Sequence, residues 1–208
     1  MQSLQYGSVY IITNALLGWV EQTSSYFLPY VNKILQTEKI QIISARSKYE
    51  QYFPNDHLKW KIEAFKDLSN YFDKQIITNI ICIGDSHIEM QASHHLSKLF
   101  QVFLVKTIKL KAQPRIDELV KQLQLIDQNF EQIYKEFKNL KIKLEKQLFL
   151  FFNFKINIQI YKKQKILIIF KILQIDTQQI YQQINKKYYI YKLLSSIYIF
   201  ILIYQNIK

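Results

Sequence analysis

Short apolar runs alternate with helical patterns along the first two thirds of the chain. Val9-Tyr10-Ile11-Ile12-Thr13 is rich in β-branched and aromatic side chains, and similar runs recur at 40–44, 79–83 and 102–108. Runs of this length and composition predict strands. The first three are almost continuously apolar, as parallel strands covered on both faces are; the fourth is more mixed and suits an outer position. Helical patterns separate them at 19–35, interrupted near Pro29, and at 58–72 and 88–100. Strand and helix alternate, which predicts an α/β domain with a parallel sheet.

After Pro114 the period changes. Ile116, Leu119, Val120, Leu123, Ile126, Phe130, Ile133, Phe137, Leu140 and Leu144 recur at three- and four-residue steps. That stripe predicts one amphipathic helix of about 30 residues within 113–146, its first half on the sheet and its charged remainder extending past it. Such a stripe is ordinarily packing. The expected organisation is therefore a domain over 1–146 followed by a different kind of sequence over 147–208.

Composition sharpens that boundary. Residues 147–208 use ten residue types, with no Gly, Pro, Ala, Val, Glu or Arg, and carry nine Lys against one Asp. They therefore supply +8 of the net charge of +12; residues 1–146, with 19 basic and 15 acidic side chains, supply +4. The basicity belongs to the tail and is not a nucleic-acid footprint, which needs Lys and Arg gathered on one surface. Within the tail, 188–204 is apolar apart from Lys192, Ser195 and Ser196, at the short limit for a membrane span. Three readings of the tail stand side by side: translated AT-rich sequence without selected structure, a membrane anchor, and a helical extension. Cys82 is the single cysteine, which excludes an intramolecular disulfide framework and a thiolate zinc site. With no basic-plus-apolar leader after Met1, the expected compartment is the cytoplasm, or a membrane surface reached through 188–204.

The strongest chemical signal is Ile80-Ile81-Cys82-Ile83-Gly84-Asp85-Ser86-His87-Ile88-Glu89, a buried-type strand that ends in Gly-Asp-Ser. Ligands of open α/β sheets collect beyond the carboxyl ends of strands. A carboxylate there can hold Mg²⁺, which prefers oxygen ligands and usually completes its shell with substrate phosphate. Glu89 follows Asp85 by one helical turn, close enough to orient its neighbours. The bland alternative is that Asp85 caps the helix that begins at Ser86. Thr13 and Asn14 end the first strand, where a hydroxyl and nearby amides could grip a phosphoryl oxygen, and Lys61 opens the helix before the Gly-Asp strand. Other constellations fail: His87-x-Glu89 lacks the Pro-Cys-x-x-Cys of zinc deaminases, His94 and His95 have no partner at ligand spacing, and Cys82 lies inside a buried-type strand with no adjacent base.

The order of Thr13, Lys61 and Gly84-Asp85 resembles motifs II, III and IV of the haloacid dehalogenase-like (HAD) superfamily of phosphatases and related hydrolases. The likeness is nearer to a protist branch in which Tyr10-Ile11-Ile12-Thr13-Asn14-Ala15, Gly18-Trp19-Val20, Ile43-Ser44-Ala45-Arg46 and Ile83-Gly84-Asp85-Ser86 recur together, and it covers 7–146. The resemblance implies that Thr13 and Asn14 contact a phosphoryl group and that Lys61 stabilises its charge, with Lys59 a weaker candidate for that role. It makes Asp85 the Mg²⁺ ligand, supported by Ser86 and Glu89. Motif I, the Asp-x-Asp that supplies the nucleophile and the general acid, occurs nowhere in the sequence. In that family its strand lies between those of motifs II and IV.

The expectation is thus a partial Rossmann-like parallel sheet missing its central motif I strand, followed by a long helix and a low-complexity tail. Without a carboxylate nucleophile no phospho-aspartyl intermediate can form, and with one predicted carboxylate Mg²⁺ binding should be weak or absent. The first functional reading is an incomplete, catalytically inactive HAD-like phosphohydrolase. The alternatives are a non-catalytic phosphate- or partner-binding module and a tail-anchored membrane protein. Two strands with open edges should also drive self-association or recruit a partner that donates a strand.

Overall fold

A computed structural model of the chain describes residues 2–72, 77–144 and 202–207. Its elements run α1 (Gln2–Tyr6), β1 (Ser8–Thr13), α2 (Trp19–Phe27), α3 (Pro29–Thr37), β2 (Gln41–Ser44), α4 (Ala45–Tyr49), α5 (His57–Leu68), β3 (Ile77–Gly84), α6 (His87–Ser97), β4 (Phe103–Lys109), α7 (Ile116–Lys135), β5 (Leu140–Lys143) and β6 (Leu202–Ile207). A single turn of 3₁₀ helix, Ser69–Tyr71, follows α5. The four expected strands are present within one or two residues of their expected bounds, and α2 and α3 divide at Pro29, whose fixed φ suits the first turn of a helix.

The six strands form one sheet in the order β2-β1-β6-β3-β4-β5. The pairs β1–β2, β3–β4 and β4–β5 are parallel, as an α/β alternation requires. β6 lies between β1 and β3 and runs antiparallel to both, with Val9 opposite Ile203 on one side and Ile81 opposite Ile203 on the other. β1 and β3, expected either to close up on each other or to leave a slot, have β6 between them. The sheet is therefore mixed rather than parallel throughout.

Side chains alternate across the pleat and divide the core into two faces. Tyr10, Ile12, Ile80 and Cys82 pack with Trp60, Phe65 and Leu68 of α5 and Met90, Ala92 and Leu96 of α6. On the opposite face Val9, Ile81, Ile83 and Ile108 pack with Ile126, Phe130 and Ile133 of α7, while Ile11 meets Val20, Val31 and Leu35 of α2 and α3. Helices thus cover both faces, which explains why β1 and β3 read as continuous apolar runs.

The expectation for the last helix is corrected. The helix foreseen over 113–146 ends at Lys135: Glu136 leaves the helical region (φ −68°, ψ 120°), and Leu140–Lys143 forms β5. The stripe continued in sequence because Leu140, Ile142 and Leu144 are buried while Lys141 and Lys143 are exposed, a period of two that overlaps the helical steps. Asn139 secures the change by accepting a hydrogen bond from the Val105 amide at 2.8 Å. Of the candidate membrane segment 188–204, Leu202, Ile203 and Tyr204 lie in β6. The rest of that segment lies outside the described residues. Among the described residues no helix is long and apolar enough to cross a membrane.

Candidate functional site

β1 and β3 deliver Thr13-Asn14 and Gly84-Asp85 to the same end of the sheet, because both strands point the same way and only β6 separates them. Two strand spacings put their backbones about 9.5 Å apart. The described ladder of β6 on β1 ends at Tyr10 opposite Leu202, below the level of Thr13. The carboxyl ends of β1 and β3 thus lie at the same end of the sheet, on either side of β6.

The β1 wall is built by side chains that hold the turn after the strand. Thr13 is buried and its hydroxyl accepts from the Ala15 amide at 3.0 Å. Ser44, opposite Thr13 at the end of β2, donates to the Ala15 carbonyl at 2.6 Å and accepts from the Ser47 amide, capping α4. Ser47 in turn accepts from the Leu17 amide at 2.9 Å. Asn14 donates to the His57 carbonyl at 3.1 Å, while its Oδ1 is buried with no hydrogen-bond partner among the described residues. The turn is therefore fixed against the N-termini of α4 and α5.

The β3 wall centres on Glu89. Lys61 Nζ lies 2.5 Å from Glu89 Oε1, and neither side chain is more than 3% exposed. Glu89 Oε2 accepts from the Ser86 amide at 3.0 Å and from the Ser86 hydroxyl, closing a capping box at the start of α6. Burial pushes the Glu89 carboxyl up, but Lys61 and Ser86 outweigh it and hold it below the usual carboxylate range. Gly84 is needed for this closeness: a Cβ there would stand 2.8 Å from Glu89 Cγ and 3.1 Å from Oε2. Asp85, next in sequence, is half-buried, and its Oδ1 has no partner among the described residues. Burial first, and then the adjacent Glu89, push its carboxyl up to about 6.

The arrangement redistributes the expected roles. Thr13 and Asn14 after β1 and Asp85 and Ser86 after β3 lie at the same end of the sheet, but Lys61 is paired with Glu89, and its charge is matched. Lys59, the weaker candidate, pairs with Glu63 at 3.0 Å on the outer side of α5. Mg²⁺, which the resemblance implies, would find one uncommitted carboxylate, on Asp85, since both oxygens of Glu89 are engaged. No group of three or more His, Cys, Asp or Glu gathers to hold a metal among the described residues. One carboxylate is the low end of the one or two that Mg²⁺ usually takes together with substrate phosphates and waters, so the described residues offer it a single ligand, Asp85. Cys82 is fully buried and its thiol is pushed well above its ordinary value by burial, as a structural cysteine should be. His87 and His95 are exposed and His94 is half-exposed on α6, as surface positions.

Sequence reasoning missed three of these features. The Lys61–Glu89 pair was signalled by a lysine set among Trp60, Ile62, Ala64 and Phe65, a position that is buried and therefore needs a counter-charge. Ser44 and Ser47 carried no signal beyond their place after a strand. Lys106, in the middle of the apolar strand β4, is fully buried and donates to the Tyr134 carbonyl at 2.6 Å, in the last turn of α7. Asn79 donates to the same oxygen at 3.1 Å. No protein family, no curated protein and no solved structure matches this chain.

Proposed function

We propose that the chain is a HAD-like domain without phosphoryl-transfer activity, serving as a non-catalytic binding module. The observation that carries the reading is the identity of the strand between β1 and β3. In the family that the sequence resembles, that position carries the nucleophilic carboxylate; here it is Leu202-Ile203-Tyr204-Gln205-Asn206-Ile207, which has no acidic side chain and runs the opposite way. The matched Lys61–Glu89 pair supports the same conclusion, because a lysine whose charge is already neutralised offers little to a phosphoryl dianion. Asn14 Oδ1 and Asp85 Oδ1, at this end of the sheet, are buried acceptors without a partner among the described residues, and a partner that brings hydrogen-bond donors suits them better than a phosphate ester. A single buried cysteine is in keeping with a reducing, cytoplasmic setting.

The test is hydrolysis of a generic aryl phosphate by the purified full chain with and without Mg²⁺, beside the Asp85→Ala variant. The expected result is no turnover above the variant. Mg²⁺-dependent turnover that disappears in Asp85→Ala would overturn the reading.

A further inference from the structure

We propose that Lys106 forms a pH-sensitive latch, which holds the end of α7 and the edge strand β5 against β3 and β4 while its amine is neutral and releases them when the amine takes up a proton. The geometry is a convergence of two strands on one atom. Lys106 Nζ from β4 and Asn79 Nδ2 from β3 donate to the Tyr134 carbonyl at 2.6 and 3.1 Å. That carbonyl lies in the last turn of α7, two residues before Glu136 departs to extended backbone. Beyond the corner, Asn139 accepts from the Val105 amide, and Leu140 stands opposite Lys106 as the first pair of the β4–β5 ladder. One buried amine thus sits where helix, corner and edge strand meet.

Its surroundings supply no counter-ion. Lys106 is 0% exposed, and its partners among the described residues are the Tyr134 carbonyl and the face of the Tyr134 ring, 6.0 Å away. Both favour a cation, yet neither is an anion. On α7, Glu131 pairs with Lys135, and in the corner Glu136 pairs with Lys138 at 2.8 Å. β3 contributes the neutral Asn79, α1 contributes the Tyr6 ring packed on Tyr134 at 4.6 Å, and Lys141 and Lys143 of β5 are exposed. β6, beyond β3, carries no acidic residue. Burial therefore outweighs the pull of Glu136 and lowers the amine to about 7. A neutral amine still has N–H groups to give Tyr134, whereas an ammonium must be hydrated or paired, and release of the last turn of α7 admits water to it. Once released, the amine returns towards its ordinary 10.5, so opening takes up a proton and is favoured as pH falls between the two values.

The test is amide hydrogen exchange of the purified full chain at about pH 6.5 and 8.5, corrected for the intrinsic rate at each pH. It compares residues 130–144 with β1 and β2. The opening equilibrium of 130–144 should be roughly tenfold or more larger at the lower pH, through an opening that leaves β1 and β2 protected. Lys106→Met should remove the pH dependence. Glu136→Gln, at a partly exposed position, should keep the fold and shift the dependence to lower pH, because it deletes the acid that favours the ammonium. Four results would overturn the proposal. One is an opening of 130–144 that does not change with pH. Another is a single opening equilibrium shared with β1 and β2 at both pH values, which would mean that the amine is freed only by unfolding of the whole domain. The third is a pH dependence that survives Lys106→Met, and the fourth is one that Glu136→Gln leaves in place.

Discussion

Lys61 Nζ and Glu89 Oε1 meet at 2.5 Å beneath the carboxyl end of β3, and between them they join α5 to α6 across the face of the sheet. Two charges withdrawn from water are tolerated because each answers the other and Ser86 satisfies the second carboxylate oxygen. The pair is better understood as a matched burial than as a source of stability, since an apolar pair of similar volume can be as stable. Removing one member is another matter.

Lys61→Met leaves Glu89 buried and uncompensated, and should cost about 3 to 5 kcal/mol. The double variant Lys61→Met/Glu89→Gln should recover much of that loss. Urea unfolding of the four chains in the cycle measures it; a single-variant cost below about 1 kcal/mol would show that the pair is solvated in solution.

Gly84→Ala should destabilise by about 1 to 3 kcal/mol, because the new Cβ must displace Glu89 from 2.8 Å. The cost should shrink in a Glu89→Ala background, where the obstructing side chain is gone. Equal costs in both backgrounds would place the strain in the backbone instead.

Asp85 and Glu89 make opposite contributions to the pH profile. The Asp85 carboxyl is raised from 3.8 to about 6 by burial and by Glu89, so the folded state binds the extra proton in that window and stability falls as pH rises through it. Asp85→Asn should abolish that fall and raise the melting temperature at pH 7 by a few degrees, on the order of 2 to 4 °C per kcal/mol. Glu89, whose carboxyl is held low, contributes stability above its ordinary pKa of 4.5 that is lost on acidification. Melting curves from pH 4 to 8 distinguish the two, and an unchanged profile in Asp85→Asn would contradict the assignment.

Lys106 gives the basic counterpart. Burial lowers its ammonium to about 7, against a small opposing pull from Glu136. Between that value and 10.5 the unfolded chain holds the proton and the folded chain does not, so stability should rise with pH across 7 to 10. Lys106→Met should flatten the rise while losing the hydrogen bond to Tyr134 at the end of α7. Thermal melts of the two chains at pH 7, 8.5 and 10 provide the comparison.

Much of this architecture was legible because burial on both faces of a sheet leaves a continuous apolar signature, which β1, β2 and β3 carry; the more mixed run of β4 suited an outer strand, yet β4 lies between β3 and β5. The placement of Thr13 and Asp85 at one end of the sheet was legible for a related reason: each ends such a run. β5 was hidden because its alternation of Leu140, Ile142 and Leu144 also falls on the helical steps begun at Ile116. β6 was hidden by its surroundings, since six residues of Ile, Leu, Tyr, Gln and Asn within a tail of the same composition have no contrast to mark them. The pairing of Lys61 with Glu89 spans 28 positions. Local pattern carries no information about such a partner, although a lysine on the buried face of a helix implies that one exists.

The strand that sequence pattern could not mark is the one on which the sheet depends most. Ile203 is opposed to Val9 and to Ile81, so its backbone sits at the middle of the ladder to β1 and in the last pair of the ladder to β3. Ile203→Pro removes the amide that one ladder needs and places a ring where a neighbouring strand must approach, and proline is essentially absent from central strands for that reason. Each hydrogen bond is worth about 0.5 to 1.5 kcal/mol net, and the buried acceptor left behind costs about 1 to 3 kcal/mol more. Disruption spreading along the six residues would then reach the 5 to 15 kcal/mol that a whole domain commonly has. Leu140→Pro is the control, because β5 is an edge strand with one neighbour, where proline is tolerated best. The full-length Ile203→Pro chain should lose its cooperative melt and aggregate, while Leu140→Pro should retain a transition at reduced temperature. If Ile203→Pro melts like the unmodified chain, β6 does not join the two halves of the sheet in solution.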